Sequence, residues 1–231
     1  MPIALVTGAS RGLGLALARD LAGRGWDLVI AARGADDLHA AAAALPGGTR
    51  VRAVAGNVAD EAHRGALVGA VGALGARLDA LVLNASTLGP LPLPAVADVD
   101  LDDLRAAYEV NVIGPLRLTQ LLLPALSAGA AVVAVTSDAA VDAYPGWGPY
   151  GSSKAALERL MAVLAAERPD LRVHRVDPGE MRTRMLAAAL PGQDLSDLPG
   201  PDASVPGIVA LLDGTTASGR HLARAVATVA S

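Results

Sequence analysis

Six short runs of small and branched aliphatic residues alternate with longer stretches of helical periodicity, and this alternation constrains the fold more than any other feature of the sequence. The runs at 3–7, 28–32, 51–55, 80–84, 131–136 and 171–176 are nearly continuous in apolar residues, as strands covered on both faces must be. The helical patterns fall at 12–24, 36–45, 60–74, 101–126 and 149–167. Repeated strand–helix units make a parallel sheet, and right-handed crossovers distribute the helices to both of its faces. The predicted fold class is therefore α/β, a doubly wound parallel sheet of the Rossmann type. A chain of 231 residues fits one domain, 1–231, better than two. After Asp177 the pattern changes: the segment at 184–206 predicts a mobile substrate loop, followed by an apolar helix at 204–212 and a weak terminal segment at 219–222.

Composition narrows the function. The formal charge of −4 and the scattered arginines form no basic stripe, so nucleic acid is not an expected partner. Without cysteine there are no disulfides and no thiolate metal sites, so redox chemistry must be borrowed from a bound cofactor; no metal is expected. The most apolar stretch, 121–135, is broken by Pro124, Ser127 and Gly129 and falls short of the roughly 20 residues of a membrane-spanning helix. The first strand runs directly into a glycine loop, leaving no room for a signal-peptide pattern, and the expected location is the cytoplasm. Aromatic residues are only 2% and phenylalanine is absent, so Tyr144, Trp147 and Tyr150 stand out as a cluster.

The first strand ends in Thr7-Gly8-Ala9-Ser10-Arg11-Gly12-Leu13-Gly14, with a helical pattern starting at once. Glycines there let the main chain approach a pyrophosphate, and the free N–H groups at the helix start favour anions. Gly8, Ser10, Arg11, Gly12, Leu13 and Gly14 are thus cofactor-binding candidates, although such a turn also starts helices that hold no ligand. Arg33 follows the second strand, where an NAD-binding protein presents a carboxylate to the ribose hydroxyl. A guanidinium there, with Arg11 approaching from the loop, suits a 2′-phosphate and favours NADP(H) over NAD(H); the alternative is two ordinary surface arginines. Asn57 and Val58 follow the third strand and could border the adenine, while Asn84 and Ala85 follow the fourth, where the asparagine could anchor main chain beside the cofactor. Either asparagine could instead stabilise a turn.

Tyr150 and Lys154 lie four residues apart at the start of a helical pattern, so both project from one helical face. A phenol with an ordinary pKa of about 10 needs about 4 kcal/mol of differential stabilisation to fall by about three units, and a nearby ammonium together with an oxidised nicotinamide acts in that direction. Ser137, at the end of the fifth strand, could hydrogen-bond a substrate oxygen. Asn111 lies in an apolar helical stretch, where a buried amide needs partners; holding a water that links Lys154 to solvent is one such use. Taken singly, each of these residues also suits a core, surface or capping position.

Taken together, the glycine turn, Asn84-Ala85, Asn111, Ser137, Tyr150, Lys154 and Pro178-Gly179 resemble the short-chain dehydrogenases/reductases over nearly the whole chain. The resemblance implies an NADP-dependent oxidoreductase interconverting carbonyls and alcohols, with Ser137, Tyr150 and Lys154 as its catalytic triad and Asn111 as the fourth member. It implies that Lys154 also binds the nicotinamide ribose. Pro178, Gly179, Met181 and Thr183 would lie beside the nicotinamide, with Thr183 contacting its carboxamide or the phosphates. It further implies a homodimer or homotetramer packed through the helices at 101–126 and 149–167. The chain departs from the family pattern in having Leu83-Asn84-Ala85-Ser86 after the fourth strand, in carrying Asn57 for a common aspartate, and in a short segment from 186 to 206. A mostly apolar substrate pocket is expected from 88–93, 139–147 and 185–206. Two rivals remain open: a non-catalytic NADP(H) sensor of the same fold, and a nucleotide-sugar epimerase or dehydratase, for which 231 residues leave little room.

Overall fold

A computed structural model describes residues 1–75 and 77–229. Among the described residues seven parallel strands form one sheet in the order β3-β2-β1-β4-β5-β6-β7. They are β1 (Ile3–Thr7), β2 (Asp27–Ala32), β3 (Val51–Ala55), β4 (Leu78–Leu83), β5 (Leu126–Val135), β6 (Arg172–Asp177) and β7 (Gly219–Leu222). The helices are α1 (Gly12–Gly23), α2 (Ala35–Ala43), α3 (Glu61–Leu74), α4 (Leu101–Tyr108), α5 (Gly114–Leu122), α6 (Gly148–Glu167), α7 (Arg184–Ala189), α8 (Val205–Asp213) and α9 (Ala223–Val229). This is the doubly wound Rossmann-type architecture that the alternating pattern predicts. Among the described residues no helix is long and apolar enough to cross a membrane.

Strand side chains alternate between two cores because the side-chain period of a strand is two. Ala4, Val6, Leu28, Ile30, Val82 and Val133 pack with α1, α2 and α8. Leu5, Val29, Leu81, Val132 and Val173 pack with α3, α5 and α6 on the other face. Leu5, Leu81 and Leu118 are wholly buried, each contributing about 2 kcal/mol of transfer free energy. The strand order reverses direction between β1 and β4. Their carboxyl ends therefore open a crevice, the usual ligand position in such sheets.

Three features differ from the expected pattern. The helix predicted over 101–126 is α4, a π-helical turn at Glu109–Ile113, α5, and a 3-10 turn at Leu123–Ala125, after which β5 starts at Leu126. Pro115 lacks an N–H and sits in the first turn of α5, while a side chain on Gly114 would meet the Val58 carbonyl oxygen at 2.8 Å. Within the segment at 184–206, Arg184–Ala189 is helical, capped by the Thr183 hydroxyl accepting from the Leu186 N–H at 3.2 Å, and a 3-10 turn covers Pro201–Ser204. Helical turns thus lie within the segment expected to be a mobile substrate loop. The weak segment at 219–222 is a true strand, β7, in parallel register with β6.

Candidate active site

The crevice begins at the glycine turn. The Thr7 hydroxyl donates to the Val82 carbonyl (3.2 Å) and accepts from the Asn84 and Ala85 N–H groups, both at 3.0 Å. The Asn84 carboxamide returns the contact by donating to the Thr7 and Gly8 carbonyls at 2.9 and 3.1 Å. Gly8 and Gly12 hold positive φ angles of 68° and 57°, a conformation that disfavours any side chain. Arg11 precedes α1 without a side-chain cap, and the first turn carries no acidic residue, so its N–H groups retain their preference for an anion.

A cavity of about 620 Å³ follows the strand ends from this turn to Tyr150 and Lys154. Every cofactor candidate named from the sequence lines it except Gly14 and Gly179. Gly14 serves the turn instead: a Cβ there would lie 2.4 Å from the Gly8 carbonyl oxygen and 2.6 Å from the Asn84 amide nitrogen. Gly179 lines a neighbouring cavity. Arg11 and Arg33 are exposed on the first cavity, and among the described residues neither enters an ion pair. Asn57 lines it while accepting from the Ala59 N–H at 3.2 Å, so it also stabilises its turn. A long groove with uncapped helix N–H groups at one end and unpaired guanidinium groups on its wall fits a phosphorylated dinucleotide.

At the other end, α6 buries Tyr150, Ser153, Lys154, Leu157 and Met161 at helical spacing, which directs the phenol and the amine inward together. Lys154 is 2% exposed; its Nζ donates to the Val135 carbonyl at 2.8 Å and stands 5.5 Å from the centre of the Tyr150 ring. Burial pushes the Lys154 ammonium down to about 8, opposed by the Glu158 carboxylate one turn along α6. Burial also pushes the Tyr150 phenol up to about 12; the Ser137 hydroxyl works against this, and Asp138 and Asp177 add to it. In the protein alone burial thus moves the phenol in the direction opposite to the acidification expected from Lys154 and an oxidised nicotinamide acting together.

Ser137 sits at the end of β5, where its Oγ donates to Asp138 Oδ1 at 2.7 Å and accepts from the Ala139 N–H at 3.2 Å. Asn111 lies in the π-helical turn and is fully buried. Its amide donates to the Thr87 carbonyl (2.8 Å) and to Ser153 Oγ (2.9 Å); its oxygen accepts from Ser86 Oγ (3.1 Å) and the Thr87 N–H (2.9 Å). All of its side-chain bonding positions are used. The side chain fastens the 86–87 loop to α6, and holding a water with it would require breaking one of these bonds.

A second cavity, of about 280 Å³, opens beside Tyr150 and is lined by Ser137, Tyr144, Trp147, Met181 and Leu186 among others. The aromatic residues singled out by their rarity meet here edge to face, with ring centres 6.5 Å apart for Tyr144–Trp147 and 5.6 Å for Trp147–Tyr150. The apolar expectation is only partly met, since Asp138, Asp177 and Glu180 also line it. Sequence reasoning missed a brace behind the site. Glu158 Oε1 accepts from the Thr136 hydroxyl at 2.7 Å and from Arg220 Nε at 3.0 Å, while Arg220 Nη2 reaches the Ser137 carbonyl (3.3 Å) and Asp177 (3.4 Å). The four-residue spacing from Lys154 to Glu158 was a usable signal; nothing local marked Arg220.

Known proteins resemble the chain over most of its length. A short chain dehydrogenase family model matches residues 2–194. Sulfoacetaldehyde reductase 2 of Chromohalobacter salexigens is 34% identical over 186 residues, covering 78% of this chain and 73% of that protein. A short chain dehydrogenase of Pseudomonas syringae is 31% identical and superimposes with a TM-score of 0.88, covering 96% of this chain and 93% of the other. A short chain dehydrogenase of Escherichia coli CFT073, solved in complex with NADPH, is 29% identical with a TM-score of 0.90 over 96% of both chains.

Proposed function

The chain belongs to the short-chain dehydrogenase family of oxidoreductases, and from that premise we propose that it moves a hydride between NADP(H) and a carbonyl/alcohol pair, with Tyr150 transferring the proton. The observation that carries this reading is that Tyr150 lines both cavities, the long groove and the smaller pocket, so its hydroxyl can serve a substrate held against a nucleotide.

Bound NADP(H) supplies the hydride that this cysteine-free chain has no group to supply. With a phenol pushed up to about 12, Tyr150 keeps its proton at neutral pH and is poised to donate it to a carbonyl oxygen. For the reverse reaction the phenol must fall by several units, at about 1.4 kcal/mol each, and Lys154 together with the charge of the oxidised cofactor acts in that direction. Ser137 orients the substrate oxygen, once its own proton is released from Asp138. Lys154, largely protonated at neutral pH, stabilises the tyrosinate left by proton donation and holds the nicotinamide ribose. Asn111 fixes the 86–87 loop against α6, so any water it holds falls to its main chain. Preference for NADP(H) is supported by Arg11 and Arg33 on the groove and by the NADPH bound to the Escherichia coli neighbour. Pro178, Met181 and Thr183 close the nicotinamide end, and a homo-oligomer is supported by exposed Ile113 on the α4–α5 connection and Val163 on α6.

Tyr150→Phe tests the reading. NADPH affinity stays within about twofold while turnover of aldehydes falls by about 10³, and unchanged turnover would remove Tyr150 from the chemistry.

A further inference from the structure

The smaller cavity carries a charge pattern that its apolar walls conceal. Asp138, Asp177 and Glu180 line it, and among the described residues no lysine, arginine or histidine does. Asp177 is compensated: one oxygen accepts from the Gly179 N–H at 2.8 Å and the other faces Arg220 at 3.4 Å. Asp138 and Glu180 have no ion pair among the described residues. Asp138 accepts only from hydroxyls and one N–H, those of Ser137, Tyr144 and Ala139. The Arg224 guanidinium meets Glu180 at its main-chain oxygen, at 3.1 Å. The field of these carboxylates is felt locally, since Asp138, Asp142 and Glu180 all push the Tyr144 phenol above its ordinary range. Tyr144 and Trp147 line the same cavity, and aromatic ring faces attract cations and lend nothing to anions.

We infer that this cavity selects carbonyl compounds, and their alcohols, that carry a positively charged ammonium group a few bonds from the reacting carbon, and disfavours those carrying a carboxylate or sulfonate. The inference rests on the proposed function, because it names the substrate class of the same site. Charge here does more than hold the ligand. Ser137 can donate to a substrate oxygen only when it stops donating to Asp138 at 2.7 Å, and a cation paired with Asp138 weakens that carboxylate as an acceptor. An anionic substrate would leave Asp138 holding Ser137 and would itself sit unpaired against Glu180.

Three matched probes test this: para-trimethylammonio-benzaldehyde, its uncharged isostere para-tert-butylbenzaldehyde, and para-carboxybenzaldehyde, with the corresponding benzyl alcohols. The alcohols are titrated calorimetrically into the protein with and without NADPH, a pairing that cannot react. The cationic alcohol binds about tenfold or more tightly than the tert-butyl alcohol, and the carboxylate binds weakest. Glu180→Gln reduces the advantage of the cation about threefold and leaves the neutral alcohol unchanged. Equal affinities, or a carboxylate bound as well as the cation, would overturn the inference. Reduction of the three aldehydes with NADPH is read separately: the same binding order without turnover supports the charge selection and sinks the catalytic reading, whereas turnover without charge discrimination does the reverse.

Discussion

At the glycine turn, position is fixed by main chain, whereas around Tyr150 it is fixed by side chains. The Thr7 and Asn84 side chains reach across to carbonyls and N–H groups that any sequence would present, and Gly8 and Gly14 must lack side chains to let the turn close. Ser137, Lys154 and Asn111 depend instead on the particular partners Asp138, Glu158, Ser86 and Ser153. The hydrogen bonds of the first region involve no titratable group, whereas those of the second involve Asp138 and Lys154. Each of the following experiments would break or sharpen that contrast.

Gly14→Ala strikes the main-chain region and has the largest expected effect. The new Cβ would lie 2.4 Å from the Gly8 carbonyl oxygen, which belongs to a turn already held at both ends and cannot yield. We expect a loss of about 3 kcal/mol in urea unfolding and no measurable NADPH binding by fluorescence titration. A variant that binds NADPH like the parent would show that the turn is plastic and the contrast false.

Lys154 tests the charged region through pH. Folding lowers its pKa from 10.5 to about 8, so between those values the unfolded chain binds more protons and stability rises with pH. The gain across the window is about 3 kcal/mol, present above the unfolded value and lost as pH falls through the folded one. Tyr150 acts oppositely: raised from 10.0 to about 12, it makes stability fall again above about pH 10. Denaturant unfolding from pH 7 to 10 should rise in the parent and stay flat in Lys154→Met, which should also lose turnover. A rise of equal size in the variant would assign it to some other group.

The same contrast explains what was legible in the sequence. Strand positions, the glycine turn and the Tyr150–Lys154 pair follow from local rules of periodicity, φ angle and helical spacing, so they were readable. Asn84 was placed correctly as a main-chain anchor because it follows a strand at the switch point. The water-holding role given to the Asn111 side chain failed because Ser86 and Ser153, 25 and 42 residues away in sequence, saturate it. The helix at 101–126 is helical throughout 101–125, but its π-helical turn at Glu109–Ile113 and 3-10 turn at Leu123–Ala125 are changes of pitch that periodicity does not register. The rise of the Tyr150 pKa in the protein alone was not readable because burial is a tertiary property. Arg220 stayed invisible for the same reason: it reaches the site only through the pairing of β7 with β6.

Arg33→Asp returns to the nucleotide half with a smaller effect. If Arg33 meets a 2′-phosphate, NADPH affinity falls about 30-fold, or about 2 kcal/mol, while NADH affinity changes by less than about threefold. Competition titrations with the two nucleotides distinguish the outcomes, and parallel losses would mean that the guanidinium does not read the ribose. Such a result would also weaken the contrast, because it would leave the nucleotide half with no charge recognition beyond the helix start.

Arg220→Gln has the smallest expected effect and tests whether the catalytic half is braced from the far edge of the sheet. The guanidinium joins Glu158, Asp177 and the Ser137 carbonyl, and both carboxylates are largely buried, at 12% and 6% side-chain exposure. Removing it costs about 1 kcal/mol of stability, since two desolvated carboxylates lose their cation while Thr136 still donates to Glu158. Turnover should fall about tenfold with the KM for NADPH unchanged. Arg220→Lys, which can meet Glu158 but lacks the second arm of the fork, recovers part of the loss. A purely structural brace would go no further, but Glu158 also acts on Lys154: relieved of Arg220, its charge raises the Lys154 pKa from about 8, and the alkaline rise in stability shrinks and moves to higher pH. If that rise stays where it is in the parent, Arg220 holds β7 to β6 and does not tune the lysine.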